Sequence, residues 1–180
     1  MRTFWAGFFT ALVVLLLAGF TYVRFGFVDP RADIPVNGLE ELVAMPSLDA
    51  SVARRAPEIK SPLDSSDVTL IAGMKLYQAN CALCHGDANY SRGTLADALY
   101  PRAPQFVEDA PDMPEYQNFY IIEHGIRLTG MPAWKQSLTD QQMWQVATFL
   151  AQIDKLSPKV LDEWKEQATV KPASSALSKP

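Results

Sequence analysis

Hydrophobic residues are unevenly spread along the chain and are concentrated in its first 25 positions. Residues 4–23 carry no charge, and residues 12–18 are wholly apolar. About 20 helical residues, rising about 1.5 Å each, cross the hydrocarbon core of a bilayer. Residues 1–25 are therefore predicted to form one membrane-spanning helix that anchors the chain.

A cleaved signal peptide is the alternative interpretation of this N-terminal stretch. The uncharged run is long for a signal peptide, and no clear cleavage site of small residues follows it. A lipid anchor on an N-terminal cysteine is excluded, because no Cys lies near position 20. The pattern favours an uncleaved anchor, whose orientation the flanking residues Arg2, Arg24 and Arg31 fix only weakly.

Residues 26–66 are rich in proline and are predicted to form a tether that follows the anchor. Proline fixes φ and removes a backbone donor, so long regular elements are not expected here. A short helix over 39–44 is compatible with the pattern. Two interpretations stay open, because the tether can be an extended spacer or can wrap around the following domain.

Residues 67–156 carry the periodicity of amphipathic helices and are predicted to form the folded domain. The first helix is expected over 67–80, because helix-starting residues at 65–67 precede apolar positions at helical spacing. Gly73 lies inside this helix, at a cost of about 1 kcal/mol relative to alanine. We therefore expect another helix to cross closely at this glycine.

Two further helices and a C-terminal extension complete the predicted fold. The second helix is expected to open at Glu115 and to end near Gly125, which suits a C-cap. A capping box formed by Thr139 and Gln142 starts the last helix of the domain. Residues 157–180 are expected to hold a short helix and then a disordered tail. No segment has a convincing strand pattern, so the predicted fold class is all-α.

The pentapeptide Cys81-Ala82-Leu83-Cys84-His85 has the Cys-x-x-Cys-His pattern of c-type haem attachment. Two thioethers must reach two vinyl groups on one edge of the porphyrin, while the adjacent histidine must reach the iron. One helical turn that ends in this pentapeptide places all three groups.

Three other sites use the same two cysteines and have less support. A redox-active dithiol expects a βαβ context, which the pattern lacks. A zinc site would need every Cys and His of the chain, but His85 directly follows Cys84 and is poorly placed for the same tetrahedron. A disulfide across so short a loop gives no reason for the following histidine. Haem attachment is the favoured interpretation.

A second axial ligand is expected from methionine, the soft ligand that raises the potential of a histidine-ligated haem. Met74 and Met143 lie on amphipathic helices, where packing is the ordinary role of the side chain. Met113 and Met131 both precede proline in loops. Met131 is favoured, because the glycine before it permits a close backbone approach and the proline after it stiffens the loop.

The segment 67–156 resembles a class I c-type cytochrome of the bacterial, membrane-anchored kind. The matching pieces are Gly73, Tyr77, Cys81-x-x-Cys84-His85-Gly86, Pro104-Gln105-Phe106, Gly130-Met131-Pro132-Ala133-Trp134 and the helix over 144–149. The resemblance implies three to five helices around one covalently attached haem c, preceded here by a transmembrane helix. It also implies that Gly73 and Tyr77 lie where the first helix crosses the last.

The same resemblance implies further contacts to the haem and its ligand. Pro104 resembles the residue whose carbonyl accepts a hydrogen bond from the proximal histidine. Pro101 is the alternative, because the spacing from His85 is long. Candidates for contacts to the haem propionates are Arg102, Arg127 and Trp134. Their alternative roles are surface charge and core packing.

The resemblance implies electron transfer rather than catalysis, with both axial positions of the iron filled by His85 and Met131. A haem enzyme or gas sensor with an open sixth position is the alternative, and it requires that Met131 does not bind. Haem c is attached outside the cytoplasm in such organisms, which implies a single-pass inner-membrane protein whose haem domain faces the periplasm. The implied partners are redox proteins, namely a dehydrogenase, a quinol-oxidising complex or a terminal oxidase.

The charge pattern bears on the possible partners of the protein and not on its predicted fold. The net charge is -4 and no long basic run occurs, so nucleic acid is not an expected partner. Glu108, Asp109, Asp112 and Glu115 cluster before the second helix. This cluster is either a solvated loop or an acidic docking patch for a basic partner.

Overall fold

The computed structural model describes residues 1–27, 29–89, 92–93 and 95–169, and in those ranges it contains helices and no strand. This confirms the predicted all-α fold class. The helices are α1 (Arg2–Arg24), α2 (Gly38–Arg55), α3 (Asp67–Asn80), α4 (Ala82–His85), α5 (Glu115–His124), α6 (Asp140–Leu150) and α7 (Pro158–Thr169), with a 3₁₀ turn at Ala96–Ala98. The tail expected to be disordered, 171–180, lies outside the described residues.

Helix α1 belongs to a compact unit formed by residues 1–32, and the chain from residue 33 forms a second unit. None of the side chains of α1 is buried. Within the described ranges it is the one helix long and apolar enough to cross a membrane. A signal sequence near the N-terminus meets the same criterion, so α1 supports the membrane prediction only weakly.

The core of the second unit is built around the crossing of α3 and α6. Helix α6 starts with the predicted capping box, in which Thr139 and Gln142 exchange side-chain-to-backbone hydrogen bonds. A Cβ added at Gly73 would lie 2.1 Å from the carbonyl oxygen of Gln145. The predicted close crossing at Gly73 is confirmed, because only a residue without a side chain permits this approach.

Helix α7 extends the same core. Trp164 is 1% exposed, and its ring packs edge-on against Tyr77 and Phe149. Its indole N–H donates a hydrogen bond of 3.0 Å to the side-chain oxygen of Gln78 on α3. The short C-terminal helix predicted from the sequence is confirmed, and its tryptophan is a core residue rather than a surface one.

Helix α2 shows that the expectation of no long regular element in the proline-rich segment is wrong. It spans Gly38–Arg55 with Pro46 inside. Val52 and Ala56 at its C-terminal end are buried, and α2 packs against α5. Helical stability in proteins comes mostly from such packing, so one missing donor at a proline need not end a helix. From residue 38 onwards the segment wraps the domain, while the domain boundaries at 67 and 156 stay predictions.

Replacing Gly73 with alanine is expected to lower the free energy of unfolding by about 1–3 kcal/mol, because the added methyl group overpacks the α3–α6 crossing. The measurement is urea-induced unfolding of the full chain in detergent, followed by circular dichroism. Gly38→Ala is the matched control, since a Cβ at Gly38 meets no atom within 4 Å. Equal stability of the two variants would contradict the close crossing.

Candidate haem-attachment site

The end of α3 places both cysteines and the adjacent histidine on one turn. The amide of Cys81 donates to the carbonyl of Tyr77 at 2.8 Å, which continues the helix into the motif. The carbonyl of Cys81 then accepts hydrogen bonds from the amides of Cys84 and His85, at 3.0 and 2.9 Å. The two cysteines form no disulfide with each other and are partly buried. The structure therefore brings together the three groups that the sequence motif requires.

Every backbone carbonyl from residue 81 to residue 86 accepts a hydrogen bond. A helix as short as α4 cannot satisfy its own last carbonyls, so groups from elsewhere must do so. The donors are the Leu95 amide to Leu83, the Gln105 side chain to Cys84, the Phe106 amide to His85, and the Tyr77 hydroxyl to His85 and Gly86. These bonds hold the attachment turn rigidly against the rest of the domain.

His85 is 9% exposed, and its Nδ1 lies 2.8 Å from the carbonyl oxygen of Pro104. A carbonyl only accepts, so Nδ1–H is the donor and Nε2 keeps the lone pair that a metal ligand needs. The acceptor is Pro104 and not Pro101. Burial lowers the pKa of the His85 imidazole, and the Pro104 hydrogen bond opposes part of this effect. Burial thus favours the neutral ring, and the hydrogen bond to Pro104 fixes its tautomer.

Gln105 lies in the matching segment Pro104-Gln105-Phe106, but the sequence alone assigned it no role at the site. Its side-chain oxygen accepts from the amide of Gly93 at 2.9 Å, and its nitrogen donates to the carbonyls of Cys84 and Ala103 at 2.9 and 2.8 Å. A Cβ at Gly93 would lie 2.4 Å from the carbonyl of Cys84. Gly93, within the stretch that lengthens the spacing between His85 and Pro104, is thus held against the attachment turn.

The thiols do not have the character of a redox dithiol or a zinc site. Burial raises the pKa of the Cys81 thiol to about 12, with the neighbouring Cys84 as a second cause, and burial also raises the pKa of Cys84. Reactive cysteines of redox dithiols are thiolates with a lowered pKa, which is the opposite of the shift at Cys81 and Cys84. His124, the other candidate zinc ligand, lies exposed against the ring of Tyr120. Among the described residues no cluster of His, Cys, Asp and Glu could hold a metal ion.

The loop that carries Met131 is fixed on both sides of the methionine. The carbonyl of Met131 accepts from the amide of Ile126 at 3.1 Å, and its own amide donates to the hydroxyl of Thr129 at 3.1 Å. Beyond it, the amide of Trp134 donates to the carbonyl of Ile122 on α5 at 3.0 Å. Gly125 turns the chain with φ +65°, a left-handed value that favours glycine. Met131 is half-buried within this loop.

The methionines of the haem domain differ in burial. Met74 and Met143 are fully buried in the hydrophobic core, which confirms the packing role predicted for them. Met113 is half-buried just before α5, where its carbonyl accepts a hydrogen bond of 3.2 Å from the side chain of Asn118. Met113 and Met131 therefore remain as loop methionines of the domain.

The three residues predicted to contact haem propionates differ in their exposure and in their contacts. Arg102 is exposed and lies 3.7 Å from Asp97 in an ion pair. Arg127 is exposed and forms no ion pair with a described residue. Trp134 is half-buried and packs against the core. Propionate contacts by these residues stay predictions.

Of the four clustered carboxylates, Glu108, Asp109 and Asp112 are exposed and Glu115 is half-buried, and docking of a basic partner there stays a prediction. Glu115 is half-buried and accepts a hydrogen bond from the hydroxyl of the buried Thr148 on α6. Glu108 lies 3.6 Å from Arg92, so part of its charge is balanced locally. The first turn of a helix and a buried hydroxyl both attract a carboxylate, which explains why Glu115 faces inward.

The donor set and its surroundings fit a covalently attached haem c. Two thiols and one neutral imidazole with a fixed Nδ1 lie on a single turn. Leu83 within that turn, Leu95 after it and Leu128 beside the Met131 loop are exposed apolar side chains, at 57%, 42% and 92%.

Replacing Gln105 with leucine is expected to lower the free energy of unfolding by about 2–4 kcal/mol, because the Gly93 amide and the Cys84 carbonyl would lose their partner. The measurement is urea-induced unfolding of the full chain in detergent, with hydrogen exchange at the Gly93 amide as a local probe. Gln141→Leu, on the exposed face of α6, is the matched control. If the Gly93 amide stays protected from hydrogen exchange in Gln105→Leu, the Gln105 contacts do not hold the attachment turn.

Comparison with known families agrees with this geometry. Residues 69–150 match the family model described as cytochrome c oxidase, cbb3-type, subunit III. The comparison with curated proteins gives no match. The matched segment contains the attachment turn, the Met131 loop and all of α5 and α6. Residues 69–150 are therefore a c-type cytochrome domain of the class I kind, and such a domain transfers electrons through haem.

Proposed function

We propose that this chain is a single-pass inner-membrane cytochrome in which one haem c is ligated by His85 and Met131. The haem domain faces the periplasm and passes electrons as a carrier or as a subunit of a respiratory or dehydrogenase complex. The observation that carries the proposal is the hydrogen bond from Nδ1 of His85 to the carbonyl of Pro104. His85 lies on the same turn as Cys81 and Cys84. The hydrogen bond leaves Nε2 of a neutral imidazole as the ligand atom.

Haem c supplies the redox chemistry, an iron that alternates between the ferrous and ferric states. The residues of the chain hold it and tune it. Cys81 and Cys84 supply the two thioether sulfurs, and His85 supplies the nitrogen ligand. The Pro104 carbonyl fixes the tautomer and increases the basicity of that ligand.

Met131 is the proposed sixth ligand because its loop can hold a sulfur atom in one place. The hydrogen bonds on both sides of Met131 fold the loop back onto α5. A Cβ added at Gly130 would lie 2.5 Å from the side chain of Leu99, so the loop also packs closely against the segment after the 3₁₀ turn. A thioether ligand opposite histidine raises the reduction potential, which suits an electron carrier. If His85 and Met131 both held the iron, they would leave it no position for oxygen or peroxide chemistry.

The membrane location and the partner rest on two separate observations. Helix α1 has the length and composition to cross a bilayer, which supports an anchored protein. The matched family is a subunit of a cytochrome c oxidase, which supports a terminal oxidase complex as the place where this chain works. A dehydrogenase and a quinol-oxidising complex are the other partners consistent with a haem carrier.

Met131→Ala is expected to lower the midpoint potential by about 0.1 V or more, because the axial ligand sets haem potentials over a range of about 0.8 V. The ferric form should lose its sulfur-to-iron charge-transfer band and bind cyanide. Redox titration and optical spectra of the detergent-extracted chain are the measurements. Met113→Ala is the matched control and should behave as wild type. The opposite pattern would move the ligand to Met113, and no change in either variant would support the haem enzyme or gas sensor with an open sixth position.

The combined substitutions Leu15→Arg and Leu16→Arg are expected to remove the protein from the membrane, because each arginine at a helix centre costs about 2.5–3.5 kcal/mol. The measurement is the fraction of the chain that stays in membranes after an alkaline wash. Leu15→Ile with Leu16→Ile is the control and should stay membrane-bound. A wild-type chain released by the same wash would contradict the anchor.

A further inference from the structure

The ring of Phe106 lies flat against the imidazole of His85. The ring centroids are 4.4 Å apart and the planes differ by 7°. His85 is buried and Phe106 is half-buried against the hydrophobic core. A stacked pair at this separation is attractive, and rotation of either ring out of the common plane loses contact area.

The position of Phe106 is fixed by its own backbone and by its neighbour. Its amide donates a hydrogen bond of 3.2 Å to the carbonyl of His85. Gln105, directly before it, makes two hydrogen bonds that tie this segment to Gly93 and Cys84. The stacked ring therefore projects from one of the most constrained segments of the domain.

Two contacts of different geometry act on the His85 ring. The hydrogen bond from Nδ1 to Pro104 sets the direction of one N–H bond but allows the ring to rotate about that direction. The stacked ring of Phe106 restricts this rotation, because it defines the plane of the imidazole. Together the two contacts specify both the direction of Nε2 and the plane in which it lies.

We propose that Phe106 is a positioning residue that sets the plane of the His85 imidazole. This inference rests on the proposed function, in which Nε2 of His85 binds the haem iron. The plane of an axial imidazole determines how its π orbital overlaps with the iron d orbitals, and hence the g values of low-spin ferric iron. Groups around a metal-bound histidine tune the metal in this indirect way. Phe106 thereby acts on the iron without touching it.

The test compares variants that keep or remove the stacked ring. Phe106→Tyr keeps the ring, whereas Phe106→Leu and Phe106→Met keep apolar volume without a ring, and the unbranched methionine adapts to the cavity if leucine does not. Phe149→Leu is the matched control, because Phe149 is a fully buried aromatic at the α3–α6 crossing. For each full-length chain in detergent, the readouts are haem content, the electron paramagnetic resonance g values, the midpoint potential and the melting temperature.

We expect shifted g values and a shifted midpoint potential in the two ringless variants, and wild-type values in Phe106→Tyr. Phe149→Leu should lower the melting temperature and leave the g values unchanged. Unchanged g values in both ringless variants would overturn the proposal, as would an equal shift in Phe149→Leu. The proposal would also be overturned if the two ringless variants, and no other variant, lost their haem. A positioning residue alters the ligand without abolishing haem binding. A wild-type chain with no low-spin signal would overturn the proposed function together with this inference.

Discussion

The carbonyl groups of the attachment turn need hydrogen-bond donors that α4 cannot supply, and the rest of the domain is arranged to provide them. Four residues of helix leave their last carbonyls without partners. Tyr77 reaches them from α3, while the segment that contains Leu95, Gln105 and Phe106 folds back to meet them from the other side. Once these donors are in place, Pro104 lies beside His85 and fixes its ring. The ligand geometry is thus a consequence of satisfying the backbone.

The helix packing explains why Tyr77 can serve this purpose. Gly73 lets α6 approach α3, and Tyr77 then lies fully buried between Phe149 and Trp164 with its hydroxyl directed at the turn. Burial raises the pKa of the Tyr77 hydroxyl, so it stays protonated as a donor. Helix α7 closes the far side of this cluster. Tyr77 therefore belongs both to the packed helix crossing and to the set of donors that satisfy the attachment turn.

Local signals predicted the parts of the fold that depend on local physics. The helix over 67–80, the capping box at Thr139 and the glycine after α5 were readable because periodicity and caps act within a few residues. The length of α2 was not, because a helix with an internal Pro46 depends on packing against α5. The roles of Gln105 and Phe106 depend on contacts across loops, and no spacing rule predicts those.

The haem motif itself was readable because Cys, Cys and His at fixed spacing have one common use. The most direct test of the account is the mass of the intact, denatured chain, together with optical spectra of its oxidised and reduced forms. We expect a mass increased by one haem that survives denaturation, with low-spin spectra of a histidine- and methionine-ligated iron. A mass without haem would contradict the account, and a covalent haem with a high-spin, cyanide-sensitive spectrum would contradict ligation by Met131.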